Sequence, residues 1–417
     1  MTDAPPEVLG LNPFEPGYFD DPYAQYARVR EGDPIHQSAL GPWLVTRWAD
    51  VHVLLRTPGT SVEDRNITAD GVRRADRFAE LRAEQGLDPG PERSLAILNL
   101  DPPDHTRIRR LVSKAFTPRA VERIRDRAGQ LTDELLDDLA DTGAEPVDLI
   151  SGLAFPLPFA VINDMLGMPG GSDALHLREL SHTITQALDP LLLAENGPAI
   201  LAASVEMRGI ISEAIAWKRT RPTDDDLMTA MIRAEDEGDV LSDAELLENV
   251  VLLFLAGHET TVNLIGNGTN ALLDHPDQRA ALAADPGLGA NAVEELLRWD
   301  SPVQFSRRIM LEPVQMHGHT FAPGDLVMTC LGAANRDPAK FGPTADTLDL
   351  GRPDAREHVS FGSGVHHCLG AALARLEGQE VLGRLVRRFP NLERAGEPTH
   401  NGRIVLRGYD HLPVALG

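Results

Sequence analysis

The stretch Phe361-Gly362-Ser363-Gly364-Val365-His366-His367-Cys368-Leu369-Gly370 decides how the rest of the chain is read. Its glycines permit a tight turn and a close approach of backbone to a flat ligand. Cys368 stands just before a segment of helical periodicity that begins near Leu369. Unpaired N–H groups and the positive end of that helix favour thiolate over thiol. Thiolate is the form that binds a metal. Two other readings fit the same residues. One is an inert cysteine buried on a glycine turn. The other is a zinc site made from His366, His367 and Cys368, although three consecutive side chains do not easily close a tetrahedron.

Working outward, the chain has 417 residues, 42% of them hydrophobic, which is ample for a sizeable core. A net charge of -24 argues against a nucleic-acid partner, since phosphate binding needs a basic surface. Cys330 and Cys368 are the two cysteines, so a disulfide-stapled fold is not expected and a reducing cytoplasm suits the chain. The first ten residues lack the basic and apolar regions of a signal peptide. The strongest apolar run, 250–257, is too short to span a membrane. The expectation is a cytoplasmic protein with no membrane contact, monomeric by default.

Helical periodicity dominates. Helices are expected over 22–31, from just after Asp50, and over 103–116, 119–141, 147–166, 174–187, 198–219 and 224–236. More follow over 276–284, 290–299 and 369–389. A small hairpin is expected over 35–46, an irregular excursion over 57–93, mixed strand and loop over 301–331, and a strand in the tail over 404–414. The fold class is mainly α with a small β portion, and strands that do not alternate with helices exclude a doubly wound α/β sheet. No linker divides the chain, so one domain is expected over residues 1–417.

The longest helix is expected from Ser242, where Glu245 completes a capping box, to about Leu273. At its middle stands Ala256-Gly257-His258-Glu259-Thr260-Thr261. Leu252, Ala256 and Thr260 share one face. That face suits a flat cofactor, and Thr260 can bond back to the Ala256 carbonyl. The competing reading is a small-residue crossing of two helices. His258 is read as a packed or exposed helix residue without a role. Glu295 and Arg298 also share a helix face, as do His105 and Arg109.

In the same order along nearly the whole chain, these segments resemble the signatures of the cytochrome P-450 family. The cysteine loop resembles the family's Phe-Gly-x-Gly-x-His-x-Cys-x-Gly at every specified position. Residues 256–260 resemble Ala/Gly-Gly-x-Asp/Glu-Thr, and Glu295 to Arg298 resemble Glu-x-x-Arg. The resemblance implies a triangular, prism-like helical domain. It implies haem b (iron protoporphyrin IX), with Cys368 as the proximal iron ligand and with Phe361, Gly370 and Ala256 against the ring. His105, Arg109, His366 and Arg308 would bind its propionates, and the adjoining Arg307 leaves that register open. Thr260 would stand at the dioxygen site, with Glu259 delivering protons. Glu295, Arg298 and Arg352 would form a structural network.

By the same resemblance Ile97, Leu98, Leu252, Leu255, Gln304, Phe305, Val405 and Leu406 would line the substrate pocket. The implied activity is monooxygenation driven by NAD(P)H through a ferredoxin and ferredoxin reductase. The product would be a hydroxylated or epoxidised secondary metabolite, terpenoid, steroid or fatty acid. A peroxide-driven peroxygenase, oxidative coupling on a carrier-bound substrate and a non-enzymatic haem-binding sensor are the alternatives. Residues 107–127 hold eight Arg or Lys against two acids, and Arg375, Arg384, Arg387 and Arg388 add to them. These charges suggest a basic face that steers an acidic ferredoxin.

Overall fold

A computed structural model describes residues 11–38, 41–68, 74–87, 93–143, 145–170, 173–223, 225–236 and 238–417. Helices form most of it, and the short strands fall into five separate sheets among the described residues. The longest helix, Asp243–Asp274, starts on the expected capping box: the Glu245 N–H donates to Ser242 Oγ at 3.3 Å, and the Ser242 N–H donates to Glu245 Oε2 at 2.8 Å. From Thr261 to Thr269 every residue of this helix is buried. Small residues make that possible. A Cβ on Gly268 would meet Leu382 at 3.3 Å, and one on Gly378 would meet Leu264 and Val293 at 3.2 Å. The helices Asp243–Asp274, Gly289–Trp299 and Ala371–Arg388 thus pack closely, with Leu264, Leu296 and Leu382 in one apolar cluster.

A larger cluster also takes in residues of the long helix. It joins Ile150, Leu157, Ile162, Met207, Ile211 and Phe254. Burial of this scale supplies the main drive to fold. The principal sheet runs in the order Ile35–Gln37, Trp43–Val45, Leu326–Cys330, Phe305–Met310, Thr60–Ser61. Leu326 pairs with Ile309 in antiparallel register, and Val327 pairs with Trp43 in parallel. In Phe305–Met310 successive side chains alternate faces, so Arg307 and Arg308 point opposite ways.

Several elements differ from their expected bounds. The helix Pro190–Thr220 begins eight residues earlier than expected, with Pro190 in its first turn and the Asp189 carboxylate accepting from the Leu191 N–H at 3.0 Å. Pro198 lies inside it. Within the expected irregular excursion a helix forms over Arg74–Glu84, because Leu81 fits against Gly197, where a Cβ would sit 2.7 Å from it. The stretch 119–141 breaks at Ile124 into Pro118–Arg123 and Arg125–Ala140. The stretch 147–166 opens with a strand, Val147–Asp148, and a wide helical turn, Ile150–Ala154. The helix in 224–236 shortens to Leu227–Ile232, and the strands Glu235–Asp236 and Asp239–Val240 follow it. In the tail the strands are Tyr409–His411 and Pro413–Ala415, while 404–408 is irregular. Among the described residues no helix is long and apolar enough to cross a membrane.

Candidate active site

The cysteine loop is built by two left-handed glycines. Gly362 has φ +66° and Gly364 φ +72°, and a Cβ on Gly364 would sit 2.7 Å from the Leu55 carbonyl oxygen. The turn lets the Cys368 N–H donate to the Phe361 carbonyl at 2.9 Å. The Cys368 side chain is open on one side and crowded by protein on the others. That crowding raises its thiol pKa, although N–H groups of Gly370 and Ala371 and the charges of Arg109 and Arg375 oppose the rise. The N–H groups at the helix start thus act in the expected direction, against burial, and a bound metal would favour the thiolate further.

Around the cysteine gather His105, Arg109, Arg308 and His366. The two imidazoles lie 4.3 Å apart between centroids. His105 Nδ1 is buried with no hydrogen-bond partner. Arg109 donates to the His367 carbonyl at 2.6 Å, and Arg308 donates to the carbonyls of Leu55 and Arg307 at 3.2 and 2.6 Å. Burial, and then the neighbouring cations, push His366 down to about 3 and His105 down to about 4. Burial also pulls Arg308 down to about 10. Among the described residues no carboxylate forms an ion pair with any of the four. Arg307 differs, since it pairs with Asp64 and donates to the Val62 carbonyl. Asp101 acts on Arg308 only at a distance, so the cluster has no paired carboxylate, and a dianionic porphyrin edge beside a cysteine fits it.

The long helix shows two faces at its middle. Gly257 belongs to the helix crossing, because a Cβ there would press on Ile162 at 2.7 Å. Ala256, one residue earlier, is exposed although Phe254 and His258 beside it are fully buried. Thr260 Oγ1 donates to the Ala256 carbonyl at 3.0 Å. His258 is a packing residue: its ring lies against Phe155, Phe159 and Phe254, and Nδ1 bonds the Phe254 carbonyl at 2.8 Å.

Glu259 has a partner that sequence reading did not find. Arg403 Nη1 donates to Glu259 Oε1 at 3.0 Å, and the same guanidinium donates to Thr185 Oγ1 at 2.8 Å and the His182 carbonyl at 2.9 Å. Beside this pair lies a polar cavity of about 30 Å³ that touches Arg178, His182, Asn263 and Asp410.

The scaffold network is shut off from the surface. Arg298 makes two bonds to Glu295, at 2.7 and 2.8 Å, and Arg352 Nε reaches Glu295 Oε1 at 3.1 Å. The two guanidiniums also bind the carbonyls of Asn335, Phe341, Thr344, Ala345 and Thr347, which fixes the loop that leads to the cysteine. A second buried carboxylate, Glu294, takes bonds from His358 at 3.0 Å and Arg375 at 2.9 Å, and Arg375 lies 4.5 Å above the Phe361 ring.

The residues expected along the substrate pocket divide. Leu98 is 49% exposed while Ile97 is buried in the large core cluster. Leu252, Leu255 and Val405 are half-buried. Gln304 is taken up by the fold, since its amide donates to the Tyr23 hydroxyl and the Ser301 carbonyl. Phe305 packs on Tyr26, and Leu406 is buried. These three offer no free surface to a ligand.

The basic face is largely neutralised within the chain. Arg107 pairs with Asp239 and Glu245, Arg110 and Lys114 with Asp236, Arg123 with Asp225, Arg384 with Asp133 and Arg388 with Asp137.

The family model for cytochrome P450 matches residues 71–285 and 289–405. Cytochrome P450 107B1 of Saccharopolyspora erythraea is 43% identical over 99% of both chains. Vitamin D(3) 25-hydroxylase of Pseudonocardia autotrophica is 41% identical over 97% of this chain and 96% of its own. The solved structure of the Bacillus subtilis bacillaene polyketide synthase cytochrome P450 PksS superposes with a TM-score of 0.85 at 34% identity, covering 97% of this chain and 99% of that one. From this end-to-end likeness it follows that the chain belongs to the cytochrome P450 family and is a haem-containing monooxygenase.

Proposed function

We propose that residues 1–417 fold as one catalytic unit that hydroxylates or epoxidises a lipophilic secondary metabolite, with electrons from NAD(P)H through a ferredoxin and its reductase. The observation that carries the site assignment is the group His105, Arg109, Arg308 and His366 around Cys368, four cationic or potentially cationic side chains without a carboxylate partner among the described residues. In this reading Cys368 Sγ holds the iron, and those four side chains take the propionates. Phe361, Gly370 and Ala256 pack against the macrocycle. When bound, the haem supplies the reduction of dioxygen and the insertion of one oxygen atom into substrate.

The chain's own residues do the rest. Glu259, held by Arg403 one residue from Thr260, relays protons inward from the polar cavity beside it. Thr260 Oγ1, now donating to the Ala256 carbonyl, orients that proton at the reacting face. Leu98, Leu252, Leu255 and Val405 hold apolar substrate and exclude water. The names of two relatives, a vitamin D(3) hydroxylase and a polyketide-synthase P450, support a steroid-like or polyketide skeleton. The proximal face retains positive charge near the cysteine loop, because Arg356 (71% exposed) and Arg375 share the single carboxylate Glu294. An acidic ferredoxin suits that face.

The test is turnover with NADPH, ferredoxin and reductase on a panel of steroids, terpenoids, fatty acids and polyketide lactones. The expected result is a product with one oxygen atom derived from labelled dioxygen. Product oxygen derived from water, or no product and no substrate-induced spin shift across the panel, contradicts the reading.

A further inference from the structure

Asn249 is fully buried on the long helix, two turns before Ala256 and on the same face. Its amide engages a neighbouring loop on both sides of one residue. Oδ1 accepts from the Ile97 N–H at 3.0 Å, and Nδ2 donates to the Leu95 carbonyl at 2.9 Å. Nδ2 also donates to the Glu245 carbonyl at 2.8 Å, which fixes the side chain to its own helix. A side-chain amide offers acceptor and donor on separate atoms, as the backbone of a paired strand does.

The rest of the loop is tied at its ends. Arg93 bridges Glu63 and Asp104, and Asp101 accepts from the Val62 N–H. Between those anchors, Asn249 supplies the polar bonds to the long helix, and Leu98 stands exposed one residue after the clasp. Glu245, which Asn249 bonds, also pairs with Arg107 on the helix that carries His105. One turn of the long helix therefore grips both the loop and the helix beside it.

We propose that Asn249 is a positioning residue that sets the pose of loop 95–99 and so selects ligands by bulk. The inference rests on the function proposed above, with Leu98 on the substrate side. Removing the amide leaves the loop's ends tied and frees its middle, so large ligands enter faster while small ones are unaffected.

The experiment uses the haem-loaded full chain and compares wild type with Asn249→Ala. A second variant, Ile97→Pro, deletes the loop N–H from the other partner. Ala96 already has the extended conformation (ψ 132°) that precedes proline, and Ile97 opens a helical turn where proline is accepted. Hydrogen exchange is read over residues 93–100, and association rates are measured for imidazole and for the bulkier phenylimidazole. Ile97→Pro, which removes one of the two loop bonds, is expected to exchange about tenfold faster in that segment, and Asn249→Ala, which removes both, at least as fast. Phenylimidazole is expected to bind several-fold faster, with the imidazole rate unchanged. Unaltered exchange overturns the proposal. So does faster exchange with both rates at their wild-type values, or with both raised equally. The carbon monoxide spectrum of the reduced proteins is recorded alongside. Loss of the thiolate band in wild type would sink the haem-thiolate reading itself, whereas a normal band with unaltered exchange sinks only the role of Asn249.

Discussion

Arg403 Nη1 lies 3.0 Å from Glu259 Oε1, joining the C-terminal loop to the middle of the long helix across 144 positions. Glu259 is thus held by a buried guanidinium at the edge of a polar cavity. A carboxylate placed there is suited to relay protons from solvent, and that defines its variant. Glu259→Gln keeps the shape and removes the acid. Product formation should fall about a hundredfold, the usual range for losing a general acid. NAD(P)H oxidation should persist, with hydrogen peroxide as its product. Equal loss of NAD(P)H oxidation and product would point to a different step.

The consecutive arginines of the Phe305–Met310 strand should separate cleanly. Arg308 is buried beside His366 without a paired carboxylate, and Arg307 is paired with Asp64. Arg308→Leu should purify with much less haem. Arg307→Leu should retain its haem and lose at most about 1 kcal/mol, the scale of a partly exposed ion pair. Haem content per chain and urea unfolding measure the two effects.

The Glu295 network is fully enclosed, so its members depend on one another. Arg298→Ala would leave Glu295 buried with Arg352 as its remaining cation and the Asp349 N–H as its other donor. Breaking a buried pair in this way costs about 3–5 kcal/mol. The variant should therefore unfold at clearly lower urea, or express as insoluble protein.

Glu294 provides a pH test. Burial alone would raise its pKa, but bonds from His358 and Arg375 outweigh burial and hold it at about 2, below the ordinary 4.5. A depressed carboxylate adds stability above its unfolded pKa and loses it as pH falls through the folded value. The contribution is about 3 kcal/mol, complete at neutral pH and lost progressively from about pH 5 to pH 2. Acid unfolding of Glu294→Gln should show a shallower dependence over that window. Parallel curves for the two proteins would refute the assignment.

Much of this was legible in local sequence. The cysteine loop, the capping box at Ser242 and the Glu295–Arg298 spacing are short-range patterns, and each forms as its spacing dictates. What escaped were choices made by distant partners. Whether Arg307 or Arg308 faces His366 depends on where Asp64 lies. The tie between Arg403 and Glu259 depends on a residue just outside the expected tail strand, where local sequence carries no pattern. Helix Arg74–Glu84 needs Gly197 to receive Leu81, and Gln304 needs Tyr23 to engage its amide. The basic face looked uncompensated because the acids that neutralise it, Asp236 and Asp239 among them, lie in a hairpin that the sequence reading missed.

The central claim is that Cys368 ligates a haem iron as thiolate. The most direct measurement is the spectrum of the reduced protein with carbon monoxide, for wild type and for Cys368→Ala. The account predicts the red-shifted Soret band of thiolate ligation in wild type and its loss in the variant. Absence of that band in haem-loaded wild type, or its persistence without Cys368, would contradict it.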